Sequence, residues 1–314
     1  MLKLIKNWSL PLAMLLGVLG YVLLAKLPVL NPVKPIVVEG VSWVMPCLIF
    51  LQLLLTFSKV RPKELLPKSW HGWLLAIQIV SCGLLVCLLL FCPMAEAYRY
   101  VVEGAMVCLV CPTATAAAVI TDKLGGSASS LTTYTLLSNL LAAVLVPFIF
   151  PLVAPHEGIG FSILFIEILS RVFPLLLFPF MLALLFRRFF PAVHRILLAC
   201  RGAAFYLWAV ALVIVTGQTV HSLVNSAVDA HVQLLMALAG LLACVFQFFL
   251  GKYIGGKYGE RISAGQALGQ KNTVLAIWMA YTYLSPLSSV APGSYVLWQN
   301  MINSWQLWKK RRNS

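Results

Sequence analysis

The sequence predicts an all-α integral membrane protein. It would have about ten transmembrane helices, arranged as a five-plus-five inverted repeat in which the fourth and ninth helices are broken. Three observations predict this. Hydrophobic residues make up 61% of the 314 residues and charged residues only 10%, against roughly 45–50% and about 25% in soluble globular domains. The apolar residues fall into runs near the length of about 20 residues that a spanning helix needs. Lys and Arg sort to alternate gaps between those runs.

The runs are 8–27, 36–57, 71–93, 98–121, 129–152, 159–186, 203–224, 231–251, 263–284 and 288–308. The first is not read as a cleaved signal peptide, because it is long, lacks a small-residue cleavage site and leads into a second span. Alternate gaps carry Lys3, Lys6, Lys59, Arg61, Lys63, Lys68, Lys123, Arg187, Arg188, Arg195, Arg201, Lys252, Lys257, Arg261, Lys309, Lys310, Arg311 and Arg312. That is eighteen of the 23 basic residues, against Lys26, Lys34 and Arg99 on the other side; Arg171 and Lys271 fall inside spans. The positive-inside rule then places both termini in the cytoplasm. The basic end, Lys309–Arg312, reads as a stop-transfer anchor.

The first half, 1–152, holds five runs and the second, 153–314, holds five more. An odd number per half inverts the second relative to the first, an architecture of many secondary transporters. The net charge of +14 does not indicate nucleic acid, because the basic residues share no soluble face. Disorder is excluded by the apolar content. No GxxxxGK[ST] loop is present, so ATP-driven transport is not expected. No nucleophile–base constellation or acidic pair points to an enzyme, and no cofactor is implied. The eight cysteines lie in or beside apolar runs and read as small packing residues; this includes Cys108-x-x-Cys111, which has no accompanying pair or His cluster.

Two runs depart from ordinary spans. The fourth contains Cys111-Pro112-Thr113-Ala114-Thr115-Ala116-Ala117-Ala118, where Pro112 removes a backbone donor and small residues follow. The ninth contains Gly265-Gln266-Ala267-Leu268-Gly269-Gln270-Lys271-Asn272-Thr273, a polar stretch with a charge inside an apolar run. Backbone freed by a break within a membrane must be re-paired or must line a wet cavity. Two breaks in corresponding positions of the two halves are the pointer to a transport site.

Along essentially its whole length, the chain resembles the bile acid:sodium symporter family. The resemblance rests on three ordered motifs. Cys111-Pro112-Thr113-Ala114-Thr115-Ala116 is similar to the family's Cys-Pro-Gly-Gly-Thr-Ala. Gly269-Gln270-Lys271-Asn272-Thr273-Val274-Leu275-Ala276 is similar to Gly-x-Gln-Asn-Ser-Gly-Leu-Ala. Pro292-Gly293 through Leu297-Trp298-Gln299-Asn300 is similar to Pro-Gly…Val-Trp-His-Asn. The resemblance implies a panel domain (spans 1, 2, 6 and 7), a core domain (spans 3–5 and 8–10), and crossing of the broken helices 4 and 9. It implies substrate-binding roles for Thr115, Asn272, Gln299 and Asn300; Lys271 is added to them because an ionisable residue inside a membrane is functional by default.

It also shows departures. The family holds two sodium ions, and sodium is a hard cation that wants oxygen ligands. Among the aligned cation-site positions, Ala117, Ala118, Leu131 and Ala267 carry no side-chain oxygen, Lys271 replaces a Gln, and Gln78 and Thr135 are kept. Two sodium ions and one Glu sum to the same single positive charge that Lys271 beside Ala267 carries with no ion bound. Bound sodium is therefore not expected, and proton coupling or exchange remains open. Lys271 has three readings: a built-in stand-in for a bound cation, a proton carrier, or a residue that snorkels to the cytoplasmic edge. Glu167 and Arg171, four apart in the sixth run, read first as a structural pair.

The function expected is a sodium-independent secondary transporter of a small organic anion, working by alternating access in a bacterial inner membrane. The alternative is a non-transporting sensor or assembly protein on a decayed transporter scaffold. The partners expected are the anion and the lipid bilayer; oligomeric state, substrate and direction of flux are not indicated.

Overall fold

The computed structural model describes residues 9–155 and 158–313; Lys3 and Lys6 lie outside them. The described chain is helical. Six helical segments are long and apolar enough to cross a membrane: Pro28–Phe57, Ser69–Phe91, Ala128–Val153, Phe161–Phe189, Ala203–Val224 and Ala230–Gly256, with Pro11–Lys26 a shorter apolar helix. This is an α-helical integral membrane protein. The expected fourth and ninth runs each form two shorter helices. A short helix, Pro191–Ala199, follows the sixth.

The chain divides into two compact units. One comprises the chain up to Lys59 together with Phe178–Ala227. In it, α1 (Ser9–Lys26) and α2 (Lys34–Phe57) pack against α9 (Ala203–Val224), which follows α8 (Pro191–Ala199). Gly17 permits the α1–α9 crossing, since a Cβ there would lie 2.5 Å from the Val213 carbonyl oxygen. Asn225 Nδ2 donates to the Tyr21 hydroxyl at 3.1 Å between the same two elements.

The second unit comprises Val60–Leu177 and Val228–Ser314. It contains α3 (Ser69–Phe91), the broken pair α4 (Glu96–Val110) and α5 (Ala117–Leu124), and α6 (Ala128–Val153). It also takes the first part of α7 (Phe161–Phe189), then α10 (Ala230–Gly256), the second broken pair α11 (Arg261–Gly269) and α12 (Thr273–Tyr283), and α13 (Val290–Asn313). Local chemistry sets several of these ends. Ser127 Oγ accepts from the Ser130 amide at 3.2 Å and N-caps α6. Gly125, with φ 85°, closes α5 in the left-handed conformation that glycine adopts without strain.

Two apolar clusters bracket the breaks. Trp70, Leu74, Ala117, Leu131, Tyr134, Ala264, Ala267 and Leu268 pack on one side. Cys108, Leu109, Ala243, Cys244, Phe248, Ala291 and Tyr295 pack on the other. A further clamp comes from Arg99, whose Nε donates to Glu103 Oε1 at 3.1 Å and whose Nη1 donates to the Leu89 carbonyl at 3.2 Å. Ser288 Oγ donates to Glu103 Oε2 at 2.6 Å, so a charge pair with a buried carboxylate and a half-buried guanidinium ties α3 and α4 to the turn before α13.

Candidate functional site

Helix α4 stops where Cys111 and Pro112 turn extended, and α11 stops at Gly269. Pro112 has no amide hydrogen to continue the ladder. The two extended segments then pair with one another. Thr113 and Lys271 form an antiparallel bridge. The Ala114 amide donates to the Gln270 carbonyl at 2.8 Å, and the Asn272 amide donates to the Pro112 carbonyl at 2.9 Å. Each break thus supplies the partners that the other has lost, as backbone within a membrane requires.

A helix C-terminus leaves carbonyls without intrahelical donors and carries partial negative charge. At α4 those carbonyls are met by side chains. Gln247 Nε2 donates to Cys108 O at 3.2 Å, Lys271 Nζ to Leu109 O at 3.3 Å, and Gln78 Nε2 to Val110 O at 2.8 Å and to Cys111 O at 3.3 Å. At α11, Thr113 Oγ1 donates to Ala267 O at 2.7 Å and the Tyr295 hydroxyl to Gly269 O at 2.7 Å. Of the two caps, only the one at α4 contains a charge.

Lys271 is 1% exposed, and among the described residues no carboxylate pairs with it. A lysine at the cytoplasmic edge would reach solvent; this one does not, and the snorkelling reading is set aside. Its backbone amide donates to Gln299 Oε1 at 3.0 Å. The adjacent Asn272 N-caps α12, with Oδ1 accepting from the Leu275 amide at 3.3 Å.

The other positions singled out from the sequence divide. Gln299 is 6% exposed and joins Lys271 and Thr273 across the break. Thr115 lies half-buried in the turn leading to α5. Asn300 turns back on its own helix, donating to the Val296 carbonyl at 2.7 Å. Gln78 spends its amide nitrogen on the α4 carbonyls, while its Oε1 accepts from the Tyr134 hydroxyl at 3.3 Å. Thr135 Oγ1 donates to Leu131 O at 3.0 Å. Ala117, Leu131 and Ala267 are buried apolar packing, and Ala118 packs at the edge of the same cluster.

The sequence reading missed Thr113, Ser138, Gln247, Tyr295 and Tyr134. Ser138 Oγ donates to Thr113 Oγ1 at 3.3 Å and accepts from the Thr113 amide at 3.2 Å. The one available signal was a polar residue within a long apolar run, which fits Gln247 and Ser138. A polar seam was also missed. Gln299, Asn303 and Gln306 share one face of α13 at helical spacing, and Gln266 Nε2 donates to Gln306 Oε1 at 3.3 Å. Gln266 Oε1, Gln270 Oε1, Gln306 Nε2 and both amide atoms of Asn303 are buried without a protein partner. Buried polar groups of this kind are the lining that water or a polar solute satisfies.

The chain matches the profile described as the Sodium Bile acid symporter family over residues 45–226, more than half of its length. It is 27% identical over 209 residues to YocS, an uncharacterized sodium-dependent transporter of Bacillus subtilis (strain 168). That alignment covers 64% of this chain and 62% of the relative, so the chain spans about three-fifths of the length of the curated relative it matches. The protein belongs to the sodium bile acid symporter family.

Proposed function

We propose that this family member is a secondary transporter of a small organic anion, in which the Lys271 ammonium takes the place of a bound cation and transport runs without sodium. One observation carries the reading. A buried cation with no paired carboxylate among the described residues sits on the carbonyl end of a broken membrane helix. An ionisable residue inside a membrane is expensive and is functional by default. Charge at a carbonyl cap is what a sodium ion would supply, and the α4 carbonyls already have Lys271 and Gln78 as donors. The remaining positive charge favours an anionic substrate, as do the helix N-termini of α5 and α12 beside it.

The count of oxygen ligands supports the same reading. Ala117, Ala118, Leu131 and Ala267 have none in their side chains, and Gln78 turns its amide nitrogen to the α4 carbonyls. An added cation about 4 Å from Lys271 would meet repulsion of about 4 kcal/mol at an effective dielectric near 20. In this reading, spans 1, 2, 6 and 7 form a panel and spans 3–5 and 8–10 a core that rocks against it. The chain lies in a bacterial inner membrane with both termini cytoplasmic. Coupling to protons and electroneutral exchange both fit.

The test begins by finding a ligand. A panel of small carboxylates is screened for saturable thermal stabilisation of the purified protein. The best ligand is then followed into proteoliposomes under an imposed sodium gradient, a proton gradient and neither. Uptake unaffected by sodium is expected. Uptake that rises steeply and saturably with external sodium would overturn the sodium-independent reading. Absence of both stabilisation and uptake favours the non-transporting scaffold, for which the stripped cation positions speak.

A further inference from the structure

Away from the two breaks, a cavity of about 230 Å³ opens between the C-terminal end of α6, the first third of α7 and the C-terminal end of α12. Phe150, Leu164 and Ile168 give it an apolar wall; Glu167, Arg171 and Tyr283 give it a polar end. Arg171 Nη2 meets Glu167 Oε1 at 3.2 Å, an i,i+4 pair whose side chains are 58% and 46% exposed. Arg171 lies roughly 15 Å along α7 from its start, given the rise per helical residue. Charged residues within membrane helices usually pair with one another and face a water-filled cavity or the bundle interior. The pair engages one nitrogen and one oxygen, and both residues line the cavity.

Tyr283 closes the polar end. It is 7% exposed, and the Arg171 side chain lies near enough to hydrogen-bond its hydroxyl, with Glu167 also within electrostatic reach. A buried phenol normally has a partner. A plain anion in this cavity would be repelled by Glu167, and a plain cation by Arg171. A ligand bearing both charges meets complementary groups at both ends.

We propose that this cavity binds a zwitterion. Its phosphate or carboxylate accepts from the Arg171 guanidinium and the Tyr283 hydroxyl, its primary ammonium donates to Glu167, and its apolar remainder lies along Phe150, Leu164 and Ile168. The source is either an aminophospholipid headgroup or a free amino acid with an apolar side chain. The proposal does not depend on the transport reading.

The test uses the full chain purified in detergent, with apparent melting temperature read against dihexanoylphosphatidylethanolamine, dihexanoylphosphatidylglycerol and L-leucine. At least one of the two zwitterions stabilises saturably, with a midpoint about tenfold below that of the anionic lipid. Arg171→Gln and Tyr283→Phe raise that midpoint at least about threefold, and Glu167→Gln erases the preference for the zwitterion over phosphatidylglycerol. Tyr283→Phe keeps the ring and so keeps the test valid if an Arg171 variant misfolds. Stabilisation by the ethanolamine lipid alone assigns the site to a headgroup; stabilisation by leucine assigns it to a free solute. Equal stabilisation by the anionic lipid, midpoints unmoved by all three variants, or no stabilisation by either zwitterion overturns the proposal.

Discussion

Thr113 and Lys271 face one another across the two breaks, and each reaches the carbonyl one helical turn before the other. Thr113 Oγ1 donates to Ala267 O at 2.7 Å, and Lys271 Nζ donates to Leu109 O at 3.3 Å. The flanking backbone bonds, Ala114 to Gln270 and Asn272 to Pro112, repeat the same reciprocity. The arrangement is a local two-fold with unequal ends: a neutral hydroxyl serves one helix terminus and a charge serves the other. The asymmetry puts the positive charge at a defined place.

Replacing that charge tests its role. Lys271→Ala is expected to abolish uptake while leaving the protein folded, because the loss leaves a carbonyl to be rehydrated at a cost of about 1–3 kcal/mol. The measurement is uptake together with size-exclusion behaviour and melting temperature. Near-normal uptake by the variant would remove Lys271 from the mechanism. The paired change Ala267→Glu with Lys271→Gln restores oxygen at both positions and is expected to make uptake rise with sodium.

Thr113→Val keeps the shape and removes the hydroxyl. Ala267 O and Ser138 Oγ each lose a partner. Leaving buried groups unsatisfied costs about 1–3 kcal/mol. A lowered melting temperature is expected, with Thr113→Ser recovering most of it. If Val and Ser behave alike, the hydroxyl contacts do not hold the break.

Gly251 lies where α10 meets α11. A Cβ there would stand 2.5 Å from the Ala264 carbonyl oxygen, which is backbone and cannot swing away. Gly251→Ala is expected to destabilise by about 1–3 kcal/mol, the usual range for overpacking. Gly83→Ala, with nothing within 4 Å of its Cβ, serves as the control and is expected to be neutral or mildly stabilising. Equal melting temperatures for the two variants would show that the helices separate freely.

Glu260 precedes α11 and ties it to the loop before α3. Burial pushes its pKa up, but hydrogen bonds from Lys68 and Ser263 and the Lys68 charge outweigh that and hold it below the usual value of 4.5. A depressed carboxylate pKa gives stability that is present above the unfolded pKa and lost as pH falls through the folded one. Glu260→Gln is therefore expected to lower the melting temperature near pH 7, by an amount matching about 0.2–1 kcal/mol for a partly exposed pair. The gap between variant and parent should close as pH falls below about 4. A gap that stays constant down to acid pH would mean that charge plays no part.

Much of the architecture was legible in the chain. Pro112 and the polar stretch Gly265–Thr273 marked both breaks, because a missing donor and a run of small polar residues disrupt a membrane helix wherever they fall. The partners were not legible. Asn300 donates its Nδ2 to Val296 O of its own helix, a bond that the sequence does not announce. Gln78 gives its nitrogen to the Val110 and Cys111 carbonyls, partners some thirty residues away along the chain. Gln247 and Tyr295 drew no notice, though they cap the two broken ends.

What the sequence determined by itself is the solvent, the helical class and the location of the breaks, since each follows from composition and neighbours within a few turns. Tertiary structure alone decided which carbonyl Lys271 meets and that it meets no carboxylate among the described residues. The reason is physical. A helix terminus exposes several carbonyls of equal chemistry, and which donor reaches which is fixed by the packing of α3, α10 and α13 around the paired breaks, residues far apart along the chain.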